Sequence, residues 1–135
     1  MKKLLTFLFL FPFVLGVSLD PRVVGSECKY KRVAASTTCT SGGLVVPNGE
    51  TWAVYRWQAN GADPSAYVAL VWDYDGAGET IFSSTKGDVH LHFDVSQPIY
   101  QVTGDGVKKL QIVIYNDHTS ETPIIGGCIE AVKIQ

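Results

Sequence analysis

The chain has 135 residues, of which 46% are hydrophobic, 11% aromatic and 18% charged, with a formal net charge of −2. This is the composition of one globular domain, and it excludes long-range disorder and collagen-like repeats. An acidic protein without a basic run is also a poor nucleic-acid binder, because phosphate contacts need clustered lysine and arginine.

The first residues have the pattern of an export signal. Lys2 and Lys3 precede residues 4–17, which carry no charge and are fewer than the about 20 apolar residues that span a bilayer. We therefore predict a signal peptide over residues 1–18, with a short membrane anchor as the alternative. The protein would be secreted or exposed on an extracytoplasmic surface (periplasm, extracellular space or virion). It would meet a membrane only through this segment, if the segment is uncleaved.

The next segment, residues 19–43, differs in texture from the rest of the chain. Small and polar residues dominate residues 34–43, which predicts a lead-in with one short strand near residues 28–33 and a flexible connection. From residue 44 to residue 135 the chain is dense in strand formers and turn residues. We expect this second part to be the β-sandwich domain.

Short stretches rich in β-branched and aromatic residues alternate with turn residues along this part. They are residues 51–58, 66–72, 80–83, 89–95, 99–102, 110–115 and 129–134. Together they predict an all-β protein, an antiparallel jelly-roll-like β-sandwich of about eight strands in a single domain. Strict alternation with polar neighbours predicts that five side chains share one inter-sheet core: Leu91, Phe93, Leu110, Ile112 and Ile114.

Three cysteines follow the export signal: Cys28, Cys39 and Cys128. Disulfides form and persist outside the cytosol, so we expect one bridge and one leftover thiol. Three single bridges are possible. Cys28–Cys39 is favoured because it closes a short local loop, and Cys39–Cys128, which would pin the leading segment to the last strand, is the alternative.

Several turns and strands carry a family resemblance. They are the stretch from Gly104-Asp105-Gly106 through Asn116, the Gly126-Gly127 strand, and Phe82-Ser83-Ser84 followed by Gly87-Asp88. This pattern resembles small jelly-roll domains encoded among the structural genes of tailed phages and prophages, and it covers residues 46–134. The resemblance implies a virion or tail-tip component that binds other proteins or cell surfaces and is not an enzyme.

Polar residues alternate along one predicted strand. Asp88, His90, His92 and Asp94 would share one strand face, and two imidazoles at this spacing can converge on zinc or copper. His118, in a later polar loop, is the possible third ligand. The competing interpretation is a solvated outer face. We adopt it, and expect no cofactor, because the local sequence places no third ligand.

Aromatic side chains offer a further candidate site. Trp52, Trp57 and Tyr55, together with Trp72, Tyr67 and Tyr74, could stack on a carbohydrate. Trp52 and Trp57 are five positions apart, which on a regular strand puts them on opposite faces, with one near solvent. The competing interpretation is that most of these rings fill the core.

The functional prediction rests on these features taken together. The sequence contains no Gly-x-Ser-x-Gly nucleophile elbow, so little favours nucleophilic catalysis. We expect a non-catalytic, exported or surface-displayed module that acts in structural assembly or surface attachment, through other proteins or copies of itself. A carbohydrate-binding module that recognises a surface glycan is the alternative. A small metal-binding protein that uses His90 and His92 is the third hypothesis.

Overall fold

The computed structural model describes residues 23–84, 88–92 and 100–135, and for Asp88, His90 and His92 it describes the backbone. The predicted signal peptide or anchor therefore lies outside the described residues. Within those ranges, no helix is long and apolar enough to cross a membrane.

Antiparallel strands make up most of the described chain. They are β1 (Val23–Arg32), β2 (Thr37–Thr40), β3 (Leu44–Val45), β4 (Thr51–Asn60), β5 (Ala66–Trp72), β6 (Glu79–Ser83), β7 (Asp88–His92), β8 (Gln101–Thr103), β9 (Lys109–Asn116) and β10 (Ile124–Lys133). They form two sheets, and residues from both sheets contribute to one apolar core.

The order of the strands identifies the architecture. In the first sheet, β10 lies between β1 and β4, and β7 and β8 follow one another along the other edge of β4. In the second sheet, β9 lies between β5 and the two short strands β2 and β3, and β6 pairs with the far side of β5. Among the described strands, each sheet thus has four positions, one of them occupied by two strands in succession. This is the order of an eight-stranded jelly roll, which confirms the predicted fold class.

Residues 23–43 contribute more to this fold than their composition predicts. The single short strand expected near residues 28–33 belongs to the ten-residue β1, and Thr37–Thr40 forms β2 in the opposite sheet. β1 and β2 are therefore the strand pair that opens the jelly roll. Both strands lie at sheet edges, where one side faces solvent and small polar residues are tolerated.

The last strand also begins earlier than predicted. β10 starts at Ile124, before the expected start at Ile129, because Gly126 and Gly127 continue the ladder. A Cβ at Gly126 would collide with the Lys29 carbonyl and the Tyr30 backbone of the neighbouring strand. The glycine is therefore needed for close strand approach.

A β-bulge in β4 overturns the prediction for the two tryptophans. Trp52 and Trp57 are both buried, at 6% and 0% exposure. The register with β10 shifts between Glu130, which opposes Arg56, and Ala131, which opposes Val54. One extra residue in β4 reverses the alternation, so two side chains at an odd spacing reach the same face.

The inner faces of the sheets form the core. Leu110, Ile112 and Ile114 are fully buried, as predicted. Leu91 is half-buried and packs against the same cluster. Phe93 lies outside the described residues, so its predicted burial stays a prediction.

The disulfide joins Cys28 to Cys128, and Cys39 is the free, half-buried thiol. The predicted Cys28–Cys39 and Cys39–Cys128 pairings are therefore wrong, although one bridge and one leftover thiol are confirmed. Cys28 and Cys128 are cross-strand partners with Cα atoms 4.1 Å apart, whereas Cys39 lies in the other sheet and packs against the core. Strand register decides the pairing, because a disulfide requires Cα atoms within about 7 Å. A disulfide fits an oxidising environment.

A glutamate bridges the sheets at each lateral edge of the sandwich. Glu27 of β1 accepts hydrogen bonds from the Ser41 hydroxyl at 2.8 Å and the Gly43 N–H at 3.0 Å, near the break between β2 and β3. At the other edge, Glu79 of β6 is hydrogen-bonded to Tyr100, next to β8. Burial and then this carboxylate raise the pKa of Tyr100 to about 12. Side chains therefore link the two sheets, which share no backbone ladder in the described ranges.

Candidate functional site

Three loops meet at one end of the sandwich. They are residues 33–36, 61–65 and 117–123, and we call this region the three-loop end. The Asp117 N–H donates to the Ser65 carbonyl at 2.7 Å, and the Ser36 N–H donates to the His118 carbonyl at 2.9 Å. These bonds make the three loops one connected structure.

Three ionisable side chains converge on this end. His118 Nε2 lies 2.9 Å from Asp63 Oδ2 and 3.7 Å from Glu121 Oε2. One potential ligand atom of each residue lies within 4.8 Å of the others. The side chains of Asp63, His118 and Glu121 are 39%, 22% and 70% exposed, so solvent reaches the cluster from outside.

Hydrogen bonds hold the Asp63 carboxylate in place. Its Oδ1 accepts the N–H groups of Ser65 at 2.7 Å and Ala66 at 3.1 Å, while Oδ2 faces His118. The Ser65 N–H is the main cause that lowers the pKa of Asp63. Burial opposes this effect, and the hydrogen bond to His118 reinforces it. Asp63 is therefore an anion at neutral pH, with one oxygen directed into the cluster.

Asn116 supports the same cluster from beneath. This residue is fully buried at the end of β9. Its Nδ2 donates to the carbonyls of Glu121 at 2.8 Å, Val33 at 3.0 Å and Ala34 at 3.2 Å, and its Oδ1 accepts the His118 N–H at 3.2 Å. One amide thus positions the backbone of both His118 and Glu121.

The outer face of the second sheet is the other candidate site. Ala69, Val71 and Val113 alternate with core residues, yet each is at most 1% exposed. They form a second apolar cluster, against which Tyr74 and Tyr115 pack. This outer face is therefore covered by the protein's own aromatic side chains.

Three half-buried tyrosines, Tyr67, Tyr74 and Tyr115, form what we call the tyrosine patch. Tyr67 and Tyr115 are cross-strand partners, and their rings stack with centroids 4.8 Å apart and planes 20° apart. Burial is the main cause that raises the pKa of Tyr115, and Tyr74, Tyr67 and Asp117 add to the rise. The Tyr115 phenol therefore stays protonated at neutral pH and can donate a hydrogen bond.

The aromatic platform predicted around Trp52, Trp57 and Tyr55 does not form, because both tryptophans lie in the core. Tyr55 is half-buried, beside the β4 bulge. The aromatic side chains gathered on an outer face are instead Tyr67, Tyr74 and Tyr115.

The predicted metal ligands have separate outcomes. His118 contacts Asp63 and Glu121. The backbone of His90 pairs with Gln58 and that of His92 with Arg56, both in the first sheet. The side chains of His90 and His92 lie outside what the structure describes, so a metal site or a solvated face at these two residues stays a prediction.

The outer face of the first sheet carries polar side chains around the disulfide. An open depression of about 180 Å³ surrounds the disulfide, lined by Cys28, Arg56, Gln58, Cys128, Ile129 and Glu130. Arg56 and Glu130 form an ion pair at 3.5 Å. The depression is small for a ligand site, since such sites usually enclose about 300–1,000 Å³.

Sequence reasoning missed Asp63, Glu121 and Tyr115 as site residues. The His118-x-x-Glu121 spacing within one polar loop was a visible local signal. Asp63 comes close to His118, and Tyr115 close to Tyr67, only when β5 pairs with β9. In that register Tyr67 opposes Tyr115 and Ala66 opposes Asn116.

Comparison of the chain with family models, curated proteins and solved structures finds no match.

Proposed function

We propose that the chain is an exported, non-catalytic module that attaches to a surface by binding carbohydrate at the tyrosine patch. The observation that carries this proposal is the gathering of Tyr67, Tyr74 and Tyr115 on one outer sheet face. Two of these rings are already stacked, at 4.8 Å, and all three are partly exposed.

The chemistry of the patch suits a sugar. A pyranose presents an apolar face of C–H groups and a rim of hydroxyls, and a tyrosine presents an apolar ring and a polar tip. Binding sites of this kind combine aromatic walls with a few fixed polar groups. The protonated Tyr115 phenol and the nearby Asp117 carboxylate supply a hydrogen-bond donor and an acceptor.

The rigidity of the patch supports the same proposal. The rings of Tyr74 and Tyr115 pack against the buried Ala69, Val71 and Val113, and Tyr67 stacks on Tyr115. Side chains fixed before binding lose less conformational entropy when a ligand arrives. A weak, repeated contact with a glycan-coated surface would benefit from this preorganisation.

The disulfide supports the exported part of the proposal. Cys28 is exposed, and its bond to Cys128 lies beside the open depression on the first sheet. Bonds in such positions persist in oxidising compartments and are rare in the cytosol.

A glycan array probed with the labelled, oxidised protein tests the proposal. We expect binding to a defined glycan class and a loss of at least about tenfold in affinity, about 1.4 kcal/mol, in Tyr67→Ala. Tyr67→Phe should keep most of the affinity, because it keeps the ring.

Tyr30→Ala is the matched control, because Tyr30 is 49% exposed and lies in the other sheet. Its affinity should equal that of the wild type. Absence of glycan binding, or equal binding by Tyr67→Ala, would overturn the proposal. Thermal melts of each variant verify that the fold is intact.

A further inference from the structure

We infer that Asp63, His118 and Glu121 form a binding site for a divalent first-row transition ion such as Zn²⁺, which ties two loops of the three-loop end together. The site is independent of the tyrosine patch and of the glycan proposal. It also differs from the site that the sequence predicted, because it uses His118 without His90 or His92.

The spacing of the ligand atoms fits such an ion. Zinc bonds to nitrogen and oxygen ligands are about 2.0–2.1 Å long, so two ligands of a tetrahedral ion lie about 3.3 Å apart. The two distances from His118 Nε2, 2.9 Å to Asp63 Oδ2 and 3.7 Å to Glu121 Oε2, lie on either side of this value. A small rotation of the exposed Glu121 side chain would shorten the longer distance to this value.

The chemical nature of the ligands selects the class of ion. Imidazole is a good ligand for zinc, copper, nickel and iron, whereas calcium and magnesium prefer oxygen alone. One histidine with two carboxylates gives three protein ligands. A water molecule or an outside ligand can then occupy the fourth position, which faces solvent.

The scaffold around the site is formed before any ion arrives. The two N–H groups on Asp63 Oδ1 hold its carboxylate, and Asn116 holds the backbone of His118 and Glu121. Support of this kind orients metal ligands and raises affinity. Asp63 comes from the β4–β5 loop and the other two ligands from the β9–β10 loop, so the ion would join loops that are distant along the chain.

Calorimetric titration of the chelator-treated, oxidised full chain with zinc chloride tests the inference. We expect one zinc per chain. The melting temperature should rise when zinc is added, since an ion that binds only the folded state stabilises it.

The variants separate this site from the one predicted by sequence. His118→Ala and Asp63→Asn should weaken zinc binding at least about tenfold. Asp63→Asn keeps an oxygen that can accept the Ser65 and Ala66 N–H groups, so its effect reports ligand loss and not loop collapse. Asp117→Asn, a change to a carboxylate of the same loop outside the cluster, and the His90→Ala/His92→Ala double variant should bind zinc like the wild type.

Three results would overturn the inference. The first is no zinc binding by the wild type. The second is undiminished binding by both His118→Ala and Asp63→Asn. The third is loss of binding in the His90→Ala/His92→Ala variant with retention in His118→Ala, which would move the site to β7.

Discussion

The outer faces of the two sheets are built in opposite ways. On the first sheet, the described outer residues include an ion pair, an amide and a disulfide around an open depression. On the second sheet, Ala69, Val71 and Val113 are as buried as the inter-sheet core. The first sheet is therefore open to solvent around this depression, whereas the central strands of the second sheet, β5 and β9, are buried on both faces.

This difference shows how a small domain can bury apolar surface in addition to its inter-sheet core. The central strands of the second sheet, β5 and β9, are nearly continuous apolar runs, as expected for strands covered on both sides. Tyrosines can cover the outer face of these strands without burying an unpaired polar group, because each ring buries apolar surface and keeps its hydroxyl at the rim. In the first sheet, a disulfide instead links the edge strand β1 to its neighbour β10.

The largest expected effect concerns this covalent fastening. The disulfide closes a sequence separation of 100 residues, for which the chain-entropy model gives about 4–5 kcal/mol. The Cys28→Ser/Cys128→Ser double variant should lose about this much free energy of unfolding, measured by chemical denaturation.

Cys39→Ala should lose much less, because Cys39 carries no cross-link. Non-reducing peptide mapping checks the pairing itself. Recovery of Cys39 in the disulfide-linked peptide would contradict the structure.

A matched pair of truncations compares the two outer faces directly. Val113→Ala removes two methyl groups from the buried outer face of the second sheet and should cost about 2 kcal/mol of unfolding free energy. Gln58→Ala, on the half-buried outer face of the first sheet, should change it by less than about 0.5 kcal/mol. Equal costs in denaturant titrations would remove the distinction between the faces.

The smallest expected effect is a loss of folding stability at alkaline pH, caused by two tyrosines that contact the second sheet. The pKa of Tyr115 is raised by burial, and that of Tyr100 is raised to about 12 by burial and Glu79. An unfolded tyrosine ionises near pH 10, so the stability that these neutral phenols contribute is complete below about pH 10. It is lost as the pH rises from there through the folded-state values.

Denaturant midpoints measured at about pH 9 and about pH 11 check this sign. The loss of stability between them should be smaller in Tyr100→Phe and Tyr115→Phe than in the wild type. Tyr30→Phe, at an exposed position of the first sheet, is the control. An increase in stability with pH in the wild type would show that the sign is wrong.

The jelly roll could be predicted from the sequence because its signals are local. Alternating residues such as Leu110, Ile112 and Ile114, and turn residues such as Asp75 and Gly76, define strands and their ends without knowledge of a partner. The strand bounds of β5 agree with the prediction for the same reason.

The features that sequence reasoning missed depend on contacts across strands. The bulge that turns Trp52 inward with Trp57 is a relation between β4 and β10. The Cys28–Cys128 bridge follows from the register of β1 on β10, whereas loop length favoured the wrong pair. Asp63 meets His118 only because β5 lies beside β9. None of these cross-strand contacts produces a periodic pattern within a single stretch of sequence.

The same disulfide also determines how the molecule would carry a mechanical load. β1 and β10 are antiparallel, so the start of β1 and the end of β10 lie at the same end of the sandwich. Force applied between a tether before β1 and a load after β10 would peel the two strands apart from that end. Four residue pairs, from Val23↔Val132 to Glu27↔Ile129, precede Cys28↔Cys128 in the register. Tension would open those pairs and then reach a covalent bond, leaving the remainder of the jelly roll shielded from the pull.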